Sequence, residues 1–386
     1  MTDHPAPTDP RTASAVIDLG ALRANLAAIG ALVAPARVML VVKANAYGHG
    51  MLPIARAARR AGIEWLGVAT PQEAAALRAD GDTGRVLAWL YGEDTELAPH
   101  VAAGIDLTAH RPAQLARLAA AARATGSTAR VHLKADTGLH RNGARPEDWA
   151  ALCAAAAEAE TDGLIEVVGI WSHFASADSP EDPSIADQQA AYERAGRIAH
   201  EHGLRPPIRH LANSAGALAT PGSRLDLVRI GIAGYGVDPA DGKLAADAGL
   251  DLAPVMRLRA QLVAVKPLLA GESVSYGQTW TARTDTVVGL VPLGYADGVP
   301  VAASNVASAR VGDRLAPIRG RVCMDQLVID LGAGATERPG DEVVLFGAPE
   351  GPRAEDWARE TGTIGYEILT RVSGRVPRVI MEEPDV

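Results

Sequence analysis

Short apolar runs alternate with longer amphipathic stretches along the first two thirds of the chain. The runs at 37–42, 63–69, 85–90, 105–108, 129–134, 165–171, 208–211 and 226–230 read as strands. Near-continuous apolar character over so few residues is the pattern of strands buried on both faces. Between them lie alanine-rich stretches with helical spacing, such as Pro71 to Ala79 and Pro112 to Ala124. Thr70-Pro71-Gln72-Glu73 marks one helix start: a capping Thr, Pro at the first helical position and Glu at the third. Ahead of these units, Ala15-Val16-Ile17-Asp18 is a short strand candidate, and Leu22, Leu26, Ile29 and Val33 follow at helical spacing.

Eight strand–helix units in about 225 residues match a (β/α)8 barrel in number and size. A doubly wound sheet is the alternative. It wants a glycine-rich turn after its first strand, whereas Gly231-Ile232-Ala233-Gly234-Tyr235-Gly236 lacks the dinucleotide spacing and follows the last one. From about residue 250 the pattern changes to strand-like runs at Val255–Val265, Val274–Tyr276, Thr286–Pro292, Arg321–Asp330 and Glu342–Phe346, with turn signals between them. Helices return near Ala354–Glu360 and Ile364–Val372, and Val376–Ile380 reads as a closing strand. The expected organisation is α/β: a disordered tail at 1–12, an N-terminal TIM-type (β/α)8 barrel at 13–245, and a mostly β C-terminal domain at 246–386.

Composition narrows the function classes. A net charge of −9 over 386 residues argues against nucleic acid as a partner, because phosphate backbones attract a basic surface. The two cysteines, Cys153 and Cys323, are far apart and suggest neither a disulfide framework nor a zinc site. The polar, proline-containing segment from Met1 to Arg11 has no apolar core of a secretory signal, and no apolar run approaches the length of a membrane span. The expectation is a cytoplasmic protein with no membrane partner.

The chemistry is placed by the barrel itself, since such barrels carry their sites at the C-terminal ends of the strands. Lys43 closes the run Val38-Met39-Leu40-Val41-Val42 and is followed by Tyr47 and His49 on a glycine loop. Read alone it is a lysine that has reached the surface. In this company it is also an amine placed to lose its proton and form a Schiff base. Lys134, Asp136, His140 and Arg141 follow the fifth run, Ser172 and His173 the sixth, and Asn213 and Ser214 the seventh. Arg229 ends the eighth, with Gly231 and Ile232 next. Loops after strands seven and eight are where phosphate groups bind in such barrels, so Ser214 and Gly231-Ile232 are either a plain helix cap and turn or a phosphate cradle. Arg229 is either an ion-paired barrel residue or a permanent cation facing a cofactor ring nitrogen. In the second role it would keep that nitrogen unprotonated and disfavour a long-lived carbanion. His173 is either a satisfied core histidine or a group orienting Arg229 or a base. In the second domain Tyr276 and Tyr295 stand beside glycines and Tyr366 lies on a late helix. These are three of only seven tyrosines.

The segments VVKANAYGHG, LKADTGLHRNG, WSHFASAD, ANSAG, VRIGIAGYG, VSYGQTW, GYADG, GRVCMDQ and GTIGYEILTRVSGRVPR resemble, in order and spacing, the alanine racemases over roughly residues 12–382. The resemblance implies a fold-type III pyridoxal 5'-phosphate enzyme that interconverts L- and D-alanine and supplies D-alanine for peptidoglycan. It implies a head-to-tail homodimer with active sites shared between subunits. Lys43 would be the Schiff-base lysine and the base on one face, and Tyr276 of the partner subunit the base on the other. Arg229 would contact the pyridine nitrogen, and Tyr47, Ser214, Gly231, Ile232 and Tyr366 would hold the phosphate. Arg141 would contact the ring hydroxyl and the substrate carboxylate, which the backbone of Met324 would also bind. His173 would link Arg229 to Tyr276. Lys134 matches a position carbamylated in several members, and Tyr295 and Tyr366 would narrow the entry. A tyrosine acting as a base must deprotonate far below the ordinary phenol range of about 10, and a cationic cluster of His173 and Arg229 is expected to assist. The chain departs from the family pattern at Val301, where many members carry arginine at or near this position, and at Gly365, where Ser or Asn is commoner.

Overall fold

The computed structural model describes residues 9, 12–347 and 351–382. The tail expected at 1–12 therefore lies, apart from Asp9 and Thr12, outside the described residues. The first strand, β1 (Ala13–Asp18), precedes eight parallel strands: β2 (Arg37–Val41), β3 (Trp65–Val68), β4 (Arg85–Ala88), β5 (Asp106–Ala109), β6 (Ala129–Lys134), β7 (Ile165–Trp171), β8 (Ile208–His210) and β9 (Leu227–Ile230). Their order is β8-β7-β6-β5-β4-β3-β2-β9, every strand beside its sequence neighbour, with β9 returning to β2. The seam between β8 and β9 is bridged by the Asp226 N–H donating to the Arg209 carbonyl (3.1 Å) and the Arg229 N–H to the Ala212 carbonyl (3.0 Å). The eight strands thus nearly close into the expected barrel, each expected run overlapping one of them.

The barrel interior is not purely apolar. One layer holds Met39, Trp65, Leu87, Val168, Ile208 and Leu227, but Asp106, His132, His210 and Arg229 are buried beside it. Gly169 makes room for this: a Cβ there would meet His132 Nδ1 at 2.5 Å. Outside, helices such as Leu19–Val33, Pro71–Ala79 and Pro112–Thr125 bury their apolar faces against the strands. The Thr70 capping box forms as its sequence predicts.

The second domain comprises β10 (Met256–Gln261), β11 (Ala264–Leu268), β12 (Ser273–Val274), β13 (Trp280–Thr281), β14 (Thr286–Val291), β15 (Ser308–Val311), β16 (Arg314–Pro317), β17 (Leu327–Asp330), β18 (Glu342–Phe346) and β19 (Arg378–Met381). They form a six-stranded sheet in the order β16-β15-β18-β10-β1-β19 and two smaller sheets, β11-β14-β17 and β12-β13. The pairings are antiparallel except that of β1 with β19. Two local expectations change. Ala13–Asp18 falls in the segment assigned to the barrel, yet it pairs with β10 and β19 and belongs to this sheet. Residues 321–326 are not strand: the Cys323 N–H closes a turn onto the Gln326 carbonyl (2.9 Å), and only Leu327–Asp330 pairs. Among the described residues no helix is long and apolar enough to cross a membrane.

The two domains are joined through a buried asparagine. Asn25 Nδ2 donates to the carbonyls of Gly234 (3.3 Å) and Ala253 (2.8 Å), and its Oδ1 accepts from the Ala253 N–H (2.9 Å). Asn25→Ala would strand these buried backbone groups. We expect a loss of about 2–3 kcal/mol, read as a lowered thermal midpoint with the barrel circular dichroism intact.

Candidate active site

The strand ends converge on one cavity of about 540 Å³, lined by Lys43, Tyr47, Lys134, Arg141, Trp171, His173, Ser214, Arg229, Gly231, Ile232 and Tyr366, among others. Most barrel residues singled out from the sequence line it; His49, Asp136, His140 and Ser172 do not, and Tyr366 reaches it from the second-domain helix Gly365–Arg371.

Lys43 leaves β2 into an unusual turn. Ala44, Asn45, Ala46 and Tyr47 are all left-handed, with φ of 52, 55, 54 and 53°. Such a conformation costs an L-residue about 1–2 kcal/mol, so the surroundings must hold it. Burial lowers the Lys43 amine, Arg141 and Arg229 lower it further, and Glu73 opposes them.

A cluster of hydroxyl and N–H groups from the last two barrel loops lines the same cavity. Asn213 caps the helix Ser214–Ala219 through the Gly216 N–H (2.9 Å). That leaves the Ser214 hydroxyl to accept from the N–H groups of Gly231 (2.9 Å) and Ala233 (3.4 Å), so Ser214 is not the plain cap. Tyr47 closes in on the same spot: a Cβ at Gly231 would overlap its hydroxyl. Tyr366 stands 6.1 Å from Tyr47, ring to ring. Burial raises both phenols far above neutrality, so both are neutral donors.

Arg229 is the buried cation of the site. Its Nη1 donates to His210 Nδ1 and the His210 carbonyl (both 3.2 Å). Its Nη2 donates to the carbonyls of Ser172 (2.8 Å) and Leu211 (3.0 Å) and to His173 Nδ1 (3.1 Å). Burial lowers its pKa to about 10, which leaves it charged near neutrality. With both terminal nitrogens engaged, Nε is the remaining donor of a guanidinium that lines the cavity.

The same bonds assign protons. Arg229 can only donate, so His210 Nδ1 accepts and its Nε2 carries the proton toward His132 Nδ1, 3.0 Å away. His132 Nε2 then donates to Asp106 Oδ2 at 3.2 Å. Arg85 and Arg130 grip Asp106 at 2.7 Å each. By the same logic His173 accepts at Nδ1 and carries its proton on Nε2. Burial and then the Arg229 charge hold His173 well below 6.5. The expected cationic pair of His173 and Arg229 is thus a cation and a neutral imidazole.

Lys134 packs 4.4 Å from the Trp171 ring, and burial with Arg229 and Arg141 brings its amine down to about 8. Arg141 is presented by a loop folded on Asp136, which accepts from the N–H groups of Gly138 and His140 (3.1 Å each).

This is the constellation of a known family. Models described as the N-terminal and C-terminal domains of alanine racemase match residues 17–239 and 255–380. The chain is 49% identical over 369 residues to the alanine racemase of Beutenbergia cavernae, covering 95% of this chain and 97% of that one. The crystal structure of alanine racemase from a D-cycloserine-producing Streptomyces lavendulae superposes with a TM-score of 0.93 at 45% identity, covering 99% of both chains. That from Streptomyces coelicolor does so with a TM-score of 0.93 at 48% identity, covering 97% of this chain and 99% of that one. The chain belongs to the alanine racemase family.

Within this racemase fold, the remaining sequence candidates lie elsewhere. Tyr276, Tyr295 and Met324 line a second cavity of about 720 Å³ with Val301 and Arg321, and none of them lines the barrel mouth. They are exposed, Tyr276 to 71%. The departure at Gly365 has a local reason, since a Cβ there would meet Val237 Cγ1 at 2.8 Å. Sequence reading did not single out His132, His210, Asp106 or Trp171 as parts of the site. The signal was present in the period-two alternation of β6 and β8, which turns His132 and His210 inward.

His49, His132 and His210 are all fully buried, and burial lowers each imidazole below 6.5, His49 to about 4. The unfolded chain therefore binds protons that the folded chain does not. Stability falls as pH drops through 6.5, by about 1.4 kcal/mol per pH unit for each such imidazole. Thermal midpoints measured between pH 7.5 and 5 should decline steadily; a flat profile would mean that these imidazoles charge inside the fold.

Proposed function

We propose that this chain interconverts L- and D-alanine by a two-base mechanism, with pyridoxal 5'-phosphate seated at the barrel mouth. The observation that carries the reading is the junction, in one cavity, of a strand-end lysine of lowered pKa, a hydroxyl and N–H cradle, and a buried guanidinium. The residues fit the cofactor. Ser214, Gly231, Ile232, Tyr47 and Tyr366 would hold its phosphate, Arg141 its ring hydroxyl, and Lys43 its aldehyde carbon.

Bound there, the cofactor supplies an electron-withdrawing ring that stabilises the α-carbon once its proton has left. Arg229 would contact the ring nitrogen and, keeping its own proton, would leave that nitrogen unprotonated. An arginine in that place would suit prompt return of one proton rather than side reactions. Lys43 Nζ moves the proton on one face. On the other face Tyr276 of the partner subunit removes the α-proton of L-alanine. Neutral His173, its Nδ1 satisfied by Arg229, offers Nε2–H to that phenolate. Arg141 and the backbone of the partner subunit's Met324 would hold the substrate carboxylate, and the partner subunit's Tyr295 with Tyr366 would limit the size of its side chain.

The protein acts as a homodimer in this reading, with each active site drawing on both copies. The placement of Tyr276, Tyr295 and Met324 on an exposed surface away from their own barrel mouth supports it. Two experiments test it. Lys43→Ala should form no D-alanine from L-alanine, and Tyr276→Phe should lose solvent-deuterium exchange into L-alanine. Mixing the two inactive variants under subunit exchange should restore activity to about a quarter of the wild-type sites, since half the dimers are mixed and each has one intact site. No recovery would place Tyr276 with its own Lys43 or outside the reaction.

Lys134 is proposed as a carbamate. An amine with a pKa near 8 is partly neutral at pH 7.5, the form that takes up carbon dioxide. As a carbamate it would turn from a repelling cation into an anion orienting Arg141. Protein equilibrated with ¹³C-bicarbonate should show a carbamate carbon resonance that Lys134→Gln lacks.

A further inference from the structure

The left-handed turn after Lys43 is held at both ends by charged side chains. At its far end Arg378 Nε donates to the Gly48 carbonyl (2.9 Å), and within it Asn45 Oδ1 accepts from the Met51 N–H (2.8 Å). At its near end Glu73 Oε1 accepts from the Ala44 N–H at 2.7 Å. Ala44 is the residue directly after Lys43, so this bond fixes the peptide plane from which the lysine side chain departs.

Glu73 does more than cap its helix. Its other oxygen, Oε2, accepts from the N–H groups of Thr70 (3.1 Å) and Ala69 (2.9 Å). The Thr70 bond completes the capping box of Pro71–Ala79. The bonds to Ala69 and Ala44 are not part of that box. They join the loop leaving β3 to the loop leaving β2, two adjacent strands whose ends are already linked by the Val42 N–H to the Gly67 carbonyl (2.8 Å). One carboxylate therefore binds the lysine turn to the rigid end of its neighbouring strand. It is also the one negative group set against Arg141 and Arg229 in the field acting on Lys43.

We propose that Glu73 is a positioning residue for Lys43: its carboxylate clamps the Ala44 N–H, holds the strained turn, and aims the lysine amine into the barrel mouth. This rests on the reading of Lys43 as the cofactor-bearing lysine. The alternative is that Glu73 serves helix capping alone, and Thr70→Ala separates the two, because it removes the cap hydroxyl while leaving Glu73 on Ala44.

The test follows covalent capture rather than turnover. Full-length protein is stripped of cofactor with hydroxylamine and mixed with excess pyridoxal 5'-phosphate. The amine nitrogen adds to the aldehyde carbon and the aldehyde oxygen leaves as water. Borohydride quenching at timed intervals then reports the label on the Lys43 peptide by mass. Wild type and Thr70→Ala should load at rates within about twofold of each other, with the same pH midpoint. Glu73→Ala should load about ten to a hundred times more slowly, as expected when a reacting group is displaced by an ångström or so. Glu73→Gln should fall between, because one amide oxygen can serve Ala44 or the β3 loop but not both. In Glu73→Gln the pH midpoint of loading should also move down, because a nearby negative charge no longer favours the protonated amine. A purely structural role would not produce that shift.

Glu73→Gln loading at the wild-type rate with an unmoved midpoint overturns the proposal, and this nearly isosteric variant decides the matter if Glu73→Ala does not fold. Wild type carrying no label on Lys43 would instead bring down the reading of Lys43 itself, and the proposal with it.

Discussion

A guanidinium that keeps its proton is buried at the end of β9, and the polar interior of the barrel is arranged around it. Removing a charge from water costs several kcal/mol unless hydrogen bonds replace its hydration. Arg229 receives that replacement from three carbonyls and two imidazole nitrogens, with no carboxylate in contact. The balancing carboxylate, Asp106, stands two imidazoles away and is itself gripped by Arg85 and Arg130. A carboxylate directly on Arg229 would cancel its field at the cavity. Setting it at a distance, through histidines that burial keeps neutral, fixes every tautomer on the path and leaves the mouth positive. Burial lowers Lys43, Lys134 and His173, and that field, together with Arg141, lowers them further. Burial and the paired guanidinium charges thus act in the same direction on the groups of the proposed chemistry.

The second constraint is mechanical. Four successive left-handed residues follow the lysine, a shape that no local propensity favours apart from that of Asn45. It persists because its N–H end meets a carboxylate and its carbonyl end a guanidinium, the arrangement that suits the dipole of any short helical turn. Arg378 belongs to the second domain, and so does Tyr366, which completes the cradle beside Tyr47. The barrel supplies rigid strand ends, and the second domain locks the loop that they carry.

Much of this was legible in the sequence. Alternating short apolar runs and amphipathic stretches placed all eight barrel strands, because buried parallel strands leave a pattern that survives without any tertiary information. Strand-end polar residues located the barrel-mouth side of the site for the same reason. What the pattern could not convey was pairing. Ala13–Asp18 falls within the span assigned to the barrel, yet its partners β10 and β19 lie more than two hundred residues away in sequence. Residues 321–326 have strand-like composition but close a turn onto Gln326, and the hairpin of β15 and β16 passed unnoticed between stronger signals. The histidine path from Arg229 to Asp106 draws on four strands, and a single histidine on any one of them reads as ordinary core. Glu73 was recognised as a cap; its bond to Ala44 depends on two loops meeting in space.

The exposed surface around Tyr276 follows from the same physics. A tyrosine, a second tyrosine, a methionine and a valine stand together in water, yet their backbone is not loose. The Tyr295 and Ala296 N–H groups bind the carbonyls of Cys323 and Met324 at 3.0 Å each, and Ser275 Oγ donates to the Arg321 carbonyl. Ser275 itself sits at φ 66°, a strained conformation that this bond helps to hold. Ordering a surface before it meets its partner removes an entropic cost from the encounter. In the proposed dimer this surface would complete the partner's barrel mouth, and activity would then depend on protomer concentration.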